Sequence, residues 1–117
     1  MSYIDGYVVP VAIANREIYK TYAEKAAAIF KEHGATRVVE CWGNDVPDGK
    51  TTSFPMAVKL KAEEAVVFSF VEWPSKELRD AGLAKVMNDP RFDMKSNPMP
   101  FDGQRMIYGG FEAILDI

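Results

Sequence analysis

The chain begins with an almost unbroken apolar and aromatic stretch, Tyr3-Ile-Asp-Gly-Tyr-Val-Val-Pro-Val-Ala-Ile13. β-branched and aromatic side chains suit a pleated surface, so this segment predicts a strand. Alternation places Tyr3, Asp5, Tyr7, Val9, Val11 and Ile13 on one face and Ile4, Gly6, Val8 and Ala12 on the other. Pro10 has no N–H to give a ladder and predicts an edge or a bulge. The period then changes. Ile18, Tyr22, Ala26, Ile29 and His33 recur at helical spacing, with Tyr19, Ala23 and Phe30 beside them. Asn15 suits the N-cap of this helix, and Gly34 suits a left-handed terminator.

Thr36 to Trp42 predicts a second strand, followed by a turn-rich loop, Gly43 to Gly49. Phe54 to Leu60 reads two ways. Phe54, Met56, Val58 and Leu60 alternate as in a strand, while Ser53 and Pro55 suit the cap and first turn of a short helix; the helix is favoured. Val66 to Trp73 predicts a third strand. Ser75 caps a second long helix carrying Leu78, Ala81, Leu83, Val86 and Met87, which Asp89-Pro90 stops. Residues 91–104 look irregular, and Met106 to Leu115 predicts a fourth strand.

Asn15-Arg-Glu-Ile18 and Ser75-Lys-Glu-Leu78 share cap, base, acid and aliphatic residue, each after a strand. Two such halves give the order β-α-β-β-α-β, an α+β ferredoxin-like antiparallel sheet with two helices on one face. The uncovered face is too apolar for water, and a second copy of the chain is the simplest cover.

At 117 residues, the expectation is one domain spanning residues 1–117. The net charge of -3 and the absence of a Lys/Arg run argue against nucleic acid. No apolar run approaches bilayer length, so no membrane association is expected. One cysteine and no leader-like start point to a reducing cytoplasm.

Several motifs are distinctive: Tyr3 to Val11, Val39-Glu-Cys-Trp-Gly-Asn-Asp45, Thr51-Thr-Ser-Phe-Pro55, Val66-Val-Phe-Ser-Phe70, Trp73-Pro-Ser75, Asp89-Pro-Arg91 and Met99-Pro-Phe-Asp-Gly-Gln-Arg-Met-Ile-Tyr-Gly-Gly-Phe111. Together they resemble the YbaA-like family of uncharacterised small bacterial proteins, over nearly the whole chain. The resemblance implies a dimeric α/β barrel in which two ferredoxin-like sheets face each other. Its wider superfamily includes cofactor-free monooxygenases, lactone isomerases, haem enzymes and small-molecule sensors, and fold alone does not choose among them.

The residues narrow the chemistry. His33, the only histidine, could serve as a general base but falls at a helix end, where a donor suits the terminal carbonyls. Without a second histidine or cysteine, neither a metal site nor a haem pocket is expected. Asn44, Asp45 and Asp48 crowd one loop without the spacing of a calcium site. Cys41 points away from Glu40 and Trp42 and reads as a buried structural thiol rather than a nucleophile.

The candidate chemistry lies on the strands. Asp5, Glu40, Tyr108 and Glu112 are the candidate catalytic residues, and Tyr7, Trp42, Arg105, Gly109 and Gly110 the candidate ligand-binding ones. If the faces bearing them look into the barrel, carboxylates and ring hydroxyls line one cavity, where desolvation would raise a carboxyl pKa and let it move a proton. The competing reading is structural: Asp5 and Glu40 bond backbone or Arg105. Gly109-Gly110 marks either a close approach or room for a ligand. Two functions stay open: cofactor-free proton transfer or oxygenation of a small organic molecule in the barrel, or non-catalytic binding or a structural dimer module.

Overall fold

The computed structural model describes every residue except Met1 and Met94. Four strands, β1 (Tyr3–Ala12), β2 (Arg37–Trp42), β3 (Glu64–Trp73) and β4 (Ile107–Glu112), form one antiparallel sheet in the order β2-β3-β1-β4. Helices α1 (Arg16–Glu32) and α3 (Lys76–Met87) connect the halves, with a one-turn helix α2 (Phe54–Ala57) before β3. This is the α+β ferredoxin-like arrangement that the element order predicts.

The local signals explain the boundaries. Ser75 and Ser53 each accept a backbone N–H three residues on, from Leu78 and Met56, so both serve as N-caps. That cap, with Pro55 in the first turn, makes Phe54–Ala57 helical despite its alternation. Asn15 occupies the N-cap of α1 without a side-chain bond, after a 3-10 turn at Ile13–Asn15. Gly34 follows α1 at φ +112°, a conformation that L side chains rarely adopt.

Pro10 lies in a central strand, which corrects the simple edge expectation. The β1–β4 ladder ends at Val8 and Ile107, so beyond Val8 the β4 side of β1 is locally unpaired.

The odd-numbered residues of β1 face α1 and α3. There Val9, Val11 and Val67 pack on Tyr19 and Ala23, while Tyr3, Val71 and Trp73 pack on Ala35. Gly82 in α3 allows Trp73 to lie flat beneath the helix, since an added methyl would meet the Trp73 ring and the His33 carbonyl. The opposite face is covered at one end only, where Val58 and Leu60, following α2, close over Val8 and Val66. Beyond them, Ile4, Gly6, Phe68, Phe70 and Phe111 line a shallow, almost wholly apolar groove.

Candidate functional site

Strand register builds the site. On the helix-covered face, Glu40 of β2 pairs with Ser69 of β3, Ser69 with Tyr7 of β1, and Tyr7 with Tyr108 of β4. One polar row therefore crosses all four strands. Its outer end is a stacked pair, Tyr7 and Tyr108, with ring centroids 6.3 Å apart.

Helix α1 lies over the inner part of this row and presents Ala23, Ala26 and Ala27 to it. Methyl groups here leave a chamber of about 150 Å³ between helix and sheet. Its walls combine aromatic rings, among them Tyr7, Tyr22, Phe30 and Phe101, with valine, alanine and methionine side chains. The Phe101 ring stands at 60° to Tyr19 and 81° to Tyr22, at centroid distances of 5.8 and 6.2 Å. A more open groove of about 470 Å³ runs outside the chamber along α1 and β2, with Arg16, Lys20 and Trp42 on its walls. The Arg16 guanidinium lies 5.5 Å from the centre of the Trp42 ring, a cation–π contact.

Tyr19 and Glu40 belong to both spaces. The Tyr19 hydroxyl donates to Glu40 Oε1 at 2.5 Å, the short distance of a bond to a charged acceptor. Glu40 remains exposed as a residue on the edge strand, yet its carboxyl end turns inward. Burial of that end raises its pKa above the ordinary value, and hydrogen bonds from Tyr19 and Ser69 only partly oppose the rise. Burial, then the neighbouring Glu40 charge, raises the Tyr19 hydroxyl far above its ordinary range. Burial chiefly, with Asp5 next among the raising charges, raises Tyr7 to about 12. Both tyrosines are therefore hydrogen-bond donors at neutral pH.

The other candidates divide. Asp5 shares the helix-covered face but is only 3% exposed and fully engaged. It accepts from Trp73 Nε1 at 3.0 Å and from Arg79 Nε and Nη2, the last at 2.7 Å. Arg105, expected at a ligand or beside Asp5 or Glu40, instead clasps Glu64 and Asp102 and donates to the Lys59 carbonyl. Gly110 is a close approach: a methyl there would collide with Tyr3 Oη and come within 2.9 Å of Arg79 Nη2. Gly109 faces the opposite side near Phe111. Tyr108 and Glu112 lie exposed on the β4 edge. Trp42 is half-buried against the core around Val9.

Two expectations are corrected. The face carrying Asp5, Tyr7, Glu40 and Trp42 looks toward the helices rather than into a space between two sheets, so the cavity lies within one chain. Cys41 is on the opposite face as expected, but it is exposed, on a strand at the edge of the sheet. His33 ends α1 and meets Asp89 at 3.1 Å, away from the chamber. Among the described residues, no group of three or more His, Cys, Asp or Glu side chains is placed to hold a metal ion.

Three parts of the site were not singled out from sequence. Tyr19, Ala23 and Ala26 read only as parts of a helix face, Ser69 only as a strand residue, and Ala27 not as part of any site. The usable signal was the small-residue run Ala26-Ala27-Ala28 inside an otherwise bulky amphipathic helix.

Comparison with known proteins agrees with this architecture. Residues 2–103 match the family described as "Protein of unknown function (DUF1428)". The chain is 58% identical over 116 residues to the uncharacterized protein YbaA of Escherichia coli K12, covering 99% of each. A dimeric ferredoxin-like protein from an uncultured marine organism superposes with a TM-score of 0.64 at 12% identity, over 99% of this chain and 98% of that one. SnoaB, a cofactor-independent oxygenase from Streptomyces nogalater, superposes at 0.56 with 14% identity, over 99% of this chain and 94% of that one. At such identities the two structures share the fold alone.

Proposed function

The chain belongs to the DUF1428 family, and on that premise we propose that the chamber between α1 and the sheet binds a small organic molecule and that Glu40 moves a proton on it. The observation that carries this reading is Glu40 itself. It is a carboxyl group with a raised pKa, at the junction of a small, mainly apolar chamber and a larger groove, oriented by Tyr19 and bare of any ion pair among the described residues. The carboxylate takes a proton from an acidic C–H or O–H of the ligand and becomes the neutral acid. The ligand anion is then reprotonated from the same group. Tyr19 and Ser69 hold the carboxyl group, and the Tyr7 hydroxyl is available to bond the ligand oxygen.

The fold shared with SnoaB supports a second reading, in which the same abstraction leaves a carbanion that dioxygen, as co-substrate, oxidises. One oxygen atom stays in the product as a carbonyl and the other leaves as water.

The working unit in this proposal is a single domain of residues 1–117 assembled as a homodimer. The bare apolar groove around Phe68, Phe70 and Phe111 supports this, since water is a poor neighbour for it and the structural relatives include a protein described as dimeric.

The test is isotope exchange. The protein is incubated in D₂O with enolisable and phenolic compounds, and mass spectrometry and NMR follow binding and exchange at carbon. Exchange that falls at least about 100-fold in Glu40→Gln supports the proposal. Saturable binding without exchange would instead favour a non-catalytic binding protein.

A further inference from the structure

We infer that the ligand of this site is a single-ring phenol, with its ring in the inner chamber and its hydroxyl on Glu40; this rests on the reading of the chamber as a binding site.

Size is the first reason. The chamber holds about 150 Å³, and apolar cavities of about that volume accept one benzene ring. The larger outer groove does not extend this allowance. The Tyr19–Glu40 hydrogen bond joins helix to edge strand at the boundary of the two spaces. A rigid fused polycycle would have to run through that bond, whereas a single ring with a slim substituent can sit on one side and reach past it.

Wall chemistry is the second reason. Aromatic rings from both layers line the chamber beside valines and alanines, with the thioethers of Met87 and Met106 among them. Phe101 already meets Tyr22 edge to face and Tyr19 at a tilt, and Phe30 meets Phe92 edge to face at 5.9 Å and 82°. Such tilted contacts favour an aromatic guest over an aliphatic one of equal volume, and sulfur against ring edges adds to this.

The polar edge is the third reason. All oxygen atoms at the chamber's sheet side come from one row, Glu40, Ser69 and Tyr7, with Tyr19 above. A guest oxygen placed against the sheet meets this row. Tyr19 engages Glu40 Oε1 and Ser69 also bonds the carboxyl group, yet a carboxylate has about four lone-pair sites, so it can still accept an O–H. A phenol supplies that donor on a flat ring, and the Tyr7 hydroxyl can donate to the oxygen in return. The raised Glu40 pKa narrows its gap to a phenol, which eases proton sharing.

The test titrates the isotope-labelled protein with 4-methylphenol, toluene, 2-naphthol and 9-anthrol, following amide shifts by NMR. The native protein, Ala26→Leu, which fills the chamber, and Ala28→Leu, which lies on the exposed side of α1, are compared. The expected result is saturable binding of 4-methylphenol with shifts at Ser69, Ala26 and Phe101. Toluene and 9-anthrol bind at least tenfold more weakly, Ala28→Leu behaves as native, and Ala26→Leu loses binding. If 2-naphthol or 9-anthrol binds as tightly and Ala26→Leu still abolishes binding, the single-ring assignment is overturned while the chamber stands as the site. Toluene binding as tightly as 4-methylphenol overturns the phenol assignment. Binding that Ala26→Leu does not affect, or no binding by any probe, overturns the assignment together with the reading of the chamber.

Discussion

Asp5 and Glu40 project from the same face of one sheet, with β3 between their strands, yet only Asp5 is neutralised by an arginine. The rows they occupy are adjacent. Asp5 pairs with Val71, which pairs with Val38, while Tyr7 pairs with Ser69, which pairs with Glu40. Asp5 falls under α3, where Arg79 reaches it, and Glu40 falls under α1, where Tyr19 does. A carboxylate on the same face is therefore ion-paired in one place and bonded to hydroxyls in the other.

Asp5 should accordingly act through stability. Removing one partner of a buried pair costs about 3–5 kcal/mol, so Arg79→Ala should lower the free energy of unfolding by that order. Asp5→Asn, which keeps an acceptor for Trp73, should cost roughly 1–3 kcal/mol. Urea unfolding of both variants measures this. Native-like stability in Arg79→Ala would show that the ion pair contributes little.

Glu40 should impose a pH-dependent cost. Its folded-state pKa is raised by burial, so the folded protein binds the proton more tightly than the unfolded chain. The cost is absent below the ordinary glutamate range, accumulates as pH rises through it, and is complete above the raised folded value. Glu40→Gln keeps an acceptor for Tyr19 and removes the charge. Its melting temperature should exceed the native one at pH 7, and the gap should shrink toward pH 4. A gap that widens on acidification would mean the carboxyl is stabilised as the anion.

Filling the chamber should separate binding from folding. Ala26→Leu adds apolar volume where about 150 Å³ is empty. Stability should rise by about 0.5–2 kcal/mol, as for other cavity-filling changes. A loss of more than about 1 kcal/mol, typical of overpacking, would mean the helix–sheet gap is already filled in solution.

The bare sheet face should decide assembly. Phe111, 61% exposed in the single chain, lies in the apolar groove with Phe68 and Phe70. Sedimentation should find a dimer at micromolar concentration for the native protein and a monomer for Phe111→Asp. A native monomer would remove the dimer from the proposed working unit.

Much of this architecture was legible in the chain itself. Strand and helix periods, the serine caps at Ser53 and Ser75, and the repeat at Asn15 and Ser75 are local signals. Each depends on a few neighbouring residues and backbone sterics, and together they specified the ferredoxin-like order. Alternation also put Asp5 with Tyr7, and Glu40 with Trp42, on shared faces, because the two-residue period of a strand is a property of its backbone. What alternation cannot say is which layer a face meets. That depends on where the helices cross over, and the crossovers put the carboxylates beneath α1 and α3 instead of between two sheets. Pairings across 74 residues, as between Asp5 and Arg79, or 21, as between Tyr19 and Glu40, likewise follow only from packing. So does the exposure of Cys41, since β2 became an edge strand only once the sheet order was set. The chamber is the clearest case. Three alanines on a helix are good helix formers in any sequence, and they become a cavity only when α1 lies across a sheet whose facing row is Glu40, Ser69 and Tyr7, because empty volume belongs to two surfaces at once.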